Sequence, residues 1–422
     1  MLVFGDLWSG SNRRAGIELG AGDLLSPGSD SKVGGSMKKY LFVSNGSKPS
    51  REQQMSREKV ILTNVSIPCV EAALDLGYKV FKGINRVNVQ GLECDYPITF
   101  YNSNTYRSLF DLRSNYIAFR NLLAVLRSES IDVIHCNTPI GGLVGRLCGK
   151  IAKTSKIIYT AHGFHFYKGA PLIARLLYKT AEKWMARYTD VIITMNQEDY
   201  QAAKRFRLRN NGNVYFVHGV GVATSDFQSV IVDQDHLRES LGLGEDTIIL
   251  ISMGDLIPRK NYSSSIRALA RTQCDRTHLL ICGKGPSLRS LQDLALELNV
   301  HDRVHFLGFR KDIKELLTLA DIFLFTTYQE GLPRSMMEAM AAGLPCVASK
   351  VRGNVDLISN GEGGFLCHPD DVDGLAKAID TLALDSELRQ SMGSVNLEKI
   401  QEYDIENVKK EIRSIFEREL AS

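Results

Sequence analysis

Two carboxylates, Glu330 and Glu338, stand eight positions apart in the stretch Glu330-Gly-Leu-Pro-Arg-Ser-Met-Met-Glu338-Ala-Met-Ala-Ala-Gly343-Leu-Pro345. Apolar sequence, Ala320-Asp-Ile-Phe-Leu-Phe-Thr-Thr327, runs into it, and Cys346-Val-Ala-Ser349 follows it. That order predicts strand, turn, helix and strand again. Glu330 and Gly331 fall at a strand end, and Ser335 to Glu338 near a helix N-terminus. Free backbone N–H groups and the helix dipole attract anions at such a tip. Carboxylates there repel phosphate unless they face something else, such as sugar hydroxyls. The pattern therefore suits a phosphorylated sugar. A plainer reading of the same residues is a first-turn Glu complementing the dipole and an ordinary loop acid.

Three further loops carry candidate chemistry. In Gly254-Asp-Leu-Ile-Pro-Arg259-Lys260-Asn261, two adjacent cations between strand and helix can hold a pyrophosphate and offset its charge as it leaves. In Gly283-Lys-Gly285-Pro286, the glycines let backbone approach a base or phosphate closely. Phe309-Arg310 offers a nucleotide-base contact. In the first half, Tyr159-Thr-Ala-His162-Gly-Phe-His165-Phe-Tyr167 places a histidine at a strand end. His162 there can donate to a developing charge or to a sugar hydroxyl, or serve only in interdomain packing. Each loop alone also reads as structural; four at successive strand ends, on one edge, form a site.

The elements that must position these loops alternate twice over. Strands are expected at 40–43, 79–82, 133–136, 156–160, 191–194 and 214–217. A second series falls at 247–252, 278–282, 304–307, 322–326, 345–348 and 364–367. Helical patterns lie between, at 60–76, 114–128, 261–271, 287–298, 311–319, 335–342 and 372–382. Such alternation predicts parallel sheets covered by helices, α/β in class. Ligands in such sheets bind at the carboxyl ends of the strands. The organisation expected is two Rossmann-like parallel-sheet domains facing across a cleft, 37–220 and 221–400. A terminal amphipathic helix within 401–422 would pack back on the first. Residues 1–36, rich in Gly, Ser and Asp, read as a disordered tag or upstream extension.

Composition narrows the function classes. The 422 residues are 44% apolar, with no apolar run long enough to span a bilayer. The eight cysteines are scattered, without a Cys-x-x-Cys pair, which fits reduced core thiols rather than a metal site. Residues 37–220 carry 26 basic and 13 acidic side chains, and residues 221–422 carry 22 and 31. A basic first half suits an anionic membrane or a lipid pyrophosphate. Nucleic acid is not expected, because no recognition motif accompanies the charge. The helix pattern near 173–187 sets Leu172, Ile173, Leu176, Leu177 and Trp184 beside Arg175, Lys179, Lys183 and Arg187. That is either a membrane-interface helix or a core face with solvated charges.

These motifs together resemble glycosyltransferase family 4, the retaining sugar-nucleotide transferases with the two-domain GT-B fold. The likeness is to members that build bacterial capsular or extracellular polysaccharide, and it covers roughly residues 37–422. Its strongest part is Glu330 to Pro345. Gly353-Asn-Val-Asp-Leu-Ile358, His135-Cys-Asn-Thr-Pro-Ile-Gly-Gly142 and Thr160–Lys168 add to it. The resemblance implies a nucleotide-sugar donor, UDP-linked, a lipid-pyrophosphate-linked sugar acceptor, peripheral attachment at the inner membrane face, and no metal or other cofactor. It implies that Lys260 and Arg259 bind the donor pyrophosphate and that Glu338 holds the ribose. Glu330 would contact sugar hydroxyls, beside the backbone of Gly331 and Leu332, with His162 across the cleft. Gly283, Gly285 and Arg310 complete the expected donor contacts. Three positions depart from the family pattern. Asp255 stands where many members have Arg, His218-Gly-Val-Gly221 replaces Asn-Gly-Val-Asp, and the N-terminal acceptor loop is reduced to Asn45-Gly46-Ser47. A UDP-sugar epimerase of the same fold and a non-catalytic sugar-nucleotide-binding scaffold are the rival readings.

Overall fold

A computed structural model describes residues 37–46, 49–106 and 111–421. The expectation for residues 1–36 and the Ser47 end of the acceptor loop lie outside the described residues.

Seven strands form the first sheet: β1 (Lys39–Val43), β2 (Lys79–Ile84), β3 (Ile98–Asn102), β4 (Val133–Asn137), β5 (Lys156–Ala161), β6 (Val191–Thr194) and β7 (Asn213–Phe216). Six form the second: β8 (Ile248–Met253), β9 (Thr277–Cys282), β10 (Val304–Gly308), β11 (Ile322–Phe325), β12 (Cys346–Ser349) and β13 (Gly364–Cys367). The orders are β3-β2-β1-β4-β5-β6-β7 and β10-β9-β8-β11-β12-β13. Every pairing is parallel. Strand runs such as Ile248-Ile-Leu-Ile-Ser-Met253 are apolar on both faces, as a sheet covered on both sides requires. The winding reverses between β1 and β4, and again between β8 and β11. Those are the crevices where doubly wound sheets hold ligands.

Several elements differ from the sequence expectation, among them three of the first sheet and its helices. The edge strand β3 was not foreseen; it follows Pro97 and is only five residues long. The helix expected over 60–76 is formed only at Ile67–Asp75. Pro68 sits in its first turn, where a proline is tolerated, and Val60 instead bridges to Cys94. The helix Pro139–Ala152 was also missed, because it holds four glycines. They let it press onto the first sheet. A Cβ at Gly142 would lie 2.4 Å from the Tyr159 ring, one at Gly145 2.5 Å from the Cys136 sulfur, and one at Gly149 2.8 Å from Ile157.

The chain crosses between sheets twice, side by side. The Val222 N–H donates to the Tyr403 carbonyl, and the Ile405 N–H to the Val222 carbonyl, both at 3.0 Å. Gly221 has φ +78°, and a Cβ there would sit 2.7 Å from the Ile405 Cα, so this crossing needs glycine. The last helix, Ile405–Leu420, then lies on the first sheet. Val408, Ile412, Ile415, Phe416 and Leu420 share a core with Tyr40, Phe42 and Val80. The Tyr78 hydroxyl donates to the Leu420 carbonyl at 3.0 Å.

His135 on β4 lies inside that core, between the Tyr40 hydroxyl at 2.6 Å and the Thr160 hydroxyl at 2.7 Å. Burial pushes its imidazole down to about 3 from an ordinary 6.5. As pH falls from about 6.5 toward 3, the unfolded chain binds a proton that the folded core refuses. Stability should therefore decline across that window as acid is added. A series of denaturation midpoints against pH should be flatter for His135→Phe, whatever that variant's absolute stability.

Candidate functional site

The carboxyl ends of β8, β9, β10 and β11 enclose a cleft of about 760 Å³. Arg259, Lys260, Gly283, Arg310, Glu330, Leu332 and Glu338 line it, together with Gly254, Asp255 and the tip of the helix Arg334–Ala341. Most of the residues singled out from the sequence thus converge on one space. Gly285, Gly331 and His162 lie outside its lining.

Glu330 is the centre of the polar network. Its Oε1 accepts from the Lys260 ammonium at 2.9 Å, from Arg259 Nη1 at 3.1 Å and from the Thr327 hydroxyl at 2.9 Å. The loop that carries the two cations is tied down locally. Asn261 takes a left-handed backbone, φ +51°, to turn the 3₁₀ segment Pro258–Lys260 into the helix Tyr262–Leu269. The Asn261 carbonyl accepts from Thr326 at 2.8 Å, and the Arg259 carbonyl accepts from the Tyr328 N–H at 3.0 Å. The Lys260 ammonium also lies 4.7 Å over the Phe325 ring and is 12% exposed. Two cations held by one carboxylate keep a spare positive charge facing the cleft.

The helix Arg334–Ala341 begins after Pro333 with no side-chain cap. Its first N–H groups have no partner inside the helix. Pro333, Arg334 and Ser335 form part of the cleft wall. Glu338, one turn on, accepts from Arg334 Nε at 2.8 Å. Burial pushes its carboxyl up, and Arg334 pulls it partly back. A helix tip beside two cations can bind a diphosphate, and a half-desolvated carboxylate next to it can take a diol.

Across the opening, Arg310 is committed to Asp312 through both Nε, at 2.8 Å, and Nη2. The Asp312 carboxylate holds that guanidinium above its usual range. Phe309 beside it is exposed. The two loop glycines serve the backbone in different ways. A Cβ at Gly283 would lie 1.9 Å from the Gly254 carbonyl, and one at Gly285 2.3 Å from the Leu256 carbonyl. Both therefore let the β8 and β9 loops touch each other.

Gly331 joins the two sheets. A Cβ built there would fall 1.7 Å from the His162 carbonyl oxygen, and one on Gly163 3.0 Å from the Gly331 Cα. His162, half-buried, thus reaches the rim at Glu330–Gly331, with Nε2 bonded to the Asn137 side chain. Next to it Thr138 takes φ +67°, an unfavoured angle for a β-branched residue, and its hydroxyl accepts from the Asn45 N–H at 3.0 Å. Leu332 packs toward Gly219 at the first crossing.

Two residues of this junction, Arg352 and Asp199, were missed from the sequence. Arg352 donates Nε to the Glu330 carbonyl at 2.9 Å, and Nη1 to the Phe164 carbonyl at 2.9 Å and to Asp199 at 2.8 Å. Its side chain is 4% exposed and that of Asp199 2%. Asp199 also accepts from the Phe164 N–H and from Asn196. A single guanidinium therefore ties the Phe164 end of the histidine loop, directly and through Asp199, to Glu330. The available signal for Arg352 was its position in the loop after β12, just before Gly353.

Among the described residues no group of three or more His, Cys, Asp or Glu is placed to hold a metal ion, and no helix is long and apolar enough to cross a membrane.

Comparisons with known proteins agree with this architecture. The family described as “Glycosyl transferases group 1” matches residues 233–397, and “Glycosyl transferase 4-like” matches residues 65–196. The chain is 39% identical over 292 residues to EpsD of Bacillus subtilis (strain 168), a glycosyltransferase by name, covering 68% of this chain and 76% of that one. It is 26% identical over 296 residues to the UDP-Gal:alpha-D-GlcNAc-diphosphoundecaprenol alpha-1,3-galactosyltransferase of Escherichia coli, covering 67% and 76%. Among solved structures, Anabaena Alr3699/HepE in complex with UDP and glucose superposes with a TM-score of 0.72 at 20% identity, over 90% of this chain and all of that one.

Proposed function

This chain belongs to glycosyltransferase family 4, with the GT-B fold, and we propose that it moves a hexose or N-acetylhexosamine from a UDP-sugar to a lipid-pyrophosphate-linked saccharide, with retention at the anomeric carbon. Residues 221–400 would hold the donor. Residues 37–220, with the helix of 401–422, would hold the acceptor. The observation that carries this reading is the pairing of Lys260 and Arg259 on Glu330, beside an uncapped helix tip. The names of the Escherichia coli relative and of the UDP-bound Anabaena structure support UDP as the nucleotide and a diphosphoundecaprenol-linked sugar as acceptor.

The chemistry follows from the charges. The donor diphosphate lies against the tip of the helix Arg334–Ala341, with Lys260 and Arg259 on its oxygens. As the sugar–phosphate bond breaks, negative charge grows on the β-phosphate, and these fixed donors stabilise it without reorganising. The departing phosphate oxygen takes the acceptor hydroxyl's proton on the same face of the sugar, which gives retention. Glu338 holds the ribose diol. Glu330 orients the cations and meets the sugar hydroxyls, and His162 stands opposite at the rim.

A screen of UDP-, GDP- and TDP-sugars by thermal shift and nucleotide release tests the assignment. UDP-sugars should stabilise the protein, and UDP release should rise when a lipid-linked acceptor is added. Isomerised sugar formed without acceptor would replace this reading with an epimerase.

A second test uses the junction. Gly331→Ala puts a methyl group where the His162 carbonyl lies. The histidine loop must retreat, and displacements of about 1 Å cost roughly a hundredfold in rate. Transfer should fall by about that factor while UDP still binds. Unchanged turnover would show that the loop takes no part.

A further inference from the structure

A second cavity, of about 660 Å³, lies on the seam between the two sheets and shares no residue with the cleft described above. The first sheet's side supplies its wall from Lys168 to His218, and the second sheet's side supplies the wall from Lys350 to Tyr403. Part of that wall is aromatic. The His218 ring stands at right angles to Phe216 and Tyr403, with centroids 5.1 and 5.0 Å away, and the Glu411 carboxylate fixes it there at 2.6 Å. Three acids line the cavity, and each is already engaged. Glu198 accepts the Lys168 N–H at 2.7 Å. Asp356 accepts the Gln197 N–H at 2.7 Å and the Gly353 N–H at 3.0 Å. Glu402 holds the Lys399 ammonium at 2.6 Å. The cations are not so matched. Among the described residues, neither the Lys168 nor the Lys350 ammonium has a hydrogen-bond or ion-pair partner, and Arg352 uses Nε and Nη1 but not Nη2.

We infer that this cavity binds a small phosphorylated sugar, whose phosphate bridges Lys168 on one side of the seam and Lys350 on the other. Its volume falls in the range of small-molecule sites. Two ammonium groups with no carboxylate to neutralise them call for an anion, and a phosphate offers both of them charge-assisted hydrogen bonds. Phe216 and the exposed Val355 give the apolar ground for the C–H face of a sugar ring, and Gln197 lies in the same wall to meet its hydroxyls. Inorganic phosphate alone would leave that ground uncovered. A bridge here also acts on the junction. Arg352 forms part of the wall and holds the Glu330 and Phe164 carbonyls. Filling the cavity therefore braces the two sides of the seam beside the residue that positions Glu330. The inference stands on the cavity and its two unmatched cations, and needs no assignment of the donor.

Isothermal titration of the full chain with glucose 6-phosphate and glucose 1-phosphate tests it, with inorganic phosphate and glucose as controls. At least one sugar phosphate should bind more tightly than either control, and the tighter of the two identifies which carbon bears the phosphate. It should bind equally well with UDP in excess, because the two sites share no wall. Lys168→Glu/Lys350→Glu should weaken that binding at least ~tenfold, since two charge-assisted contacts are lost. Both positions are exposed, so the variant should melt with the wild type when no ligand is present. UDP should still stabilise it, which separates failure of this site from failure of the donor site. No binding of either sugar phosphate, equal binding by the variant, or competition with UDP would overturn the inference. So would inorganic phosphate binding as tightly as the sugar phosphates.

Discussion

Lys260→Ala should lower transfer by about a hundred- to a thousandfold while the protein stays folded. The magnitude is that of removing one preorganised donor from a site where charge develops. The ammonium is fixed by a 2.9 Å bond to Glu330 and by the Phe325 ring, so it loses little freedom when the diphosphate arrives. Folding should survive, because Glu330 keeps Arg259 at 3.1 Å and Thr327 at 2.9 Å. The loss should fall on kcat more than on KM, since the lysine gains most from the charge of the departing phosphate. Steady-state kinetics beside a thermal melt checks both parts. A variant with full activity would remove Lys260 from the chemistry.

Arg352→Met should have the largest effect on stability. Methionine follows the arginine stem but leaves Asp199 buried without its cation. Breaking a buried pair in this way costs about 3–5 kcal/mol. Burial already raises the Asp199 carboxyl, and Arg352 is the main influence opposing it. A carboxyl raised above its unfolded value binds more protons in the fold, so its stability contribution falls as pH rises through the folded value. The penalty of Arg352→Met should therefore be greatest at neutral pH and shrink in acid. Denaturant titrations at several pH values read this directly. In Arg352→Met/Asp199→Asn the stability should largely return, because no charge is left buried. Transfer should remain low in both variants, since nothing then holds the Phe164 and Glu330 carbonyls together. Wild-type stability of Arg352→Met at neutral pH would contradict the role assigned to the pair.

The alternation of apolar runs and amphipathic stretches made two parallel sheets readable from the sequence, because strands such as β8 and β11 are buried on both faces and are apolar throughout except for Ser252 of β8. The cleft was readable for a related reason. Its residues lie just past strand ends, where a charge or a glycine breaks an apolar run. What escaped was set by tertiary contact. The glycines of Pro139–Ala152 argue against a helix on propensity alone, yet the surfaces of Tyr159, Cys136 and Ile157 demand them. Beyond its place between β12 and Gly353, Arg352 gave no sign of its task, because its partners Asp199 and Phe164 lie 153 and 188 positions away. The glycines of the β9 loop were read as room for a ligand, and here they make room for the neighbouring loop. Their spacing records that backbone must come close, without recording whose.

The donor site is the claim on which the rest stands. Diffraction from crystals soaked with UDP tests it most directly. The diphosphate should lie at the tip of the helix Arg334–Ala341, within hydrogen-bond reach of Lys260, and the ribose hydroxyls on Glu338. Nucleotide density lodged away from both residues would contradict it.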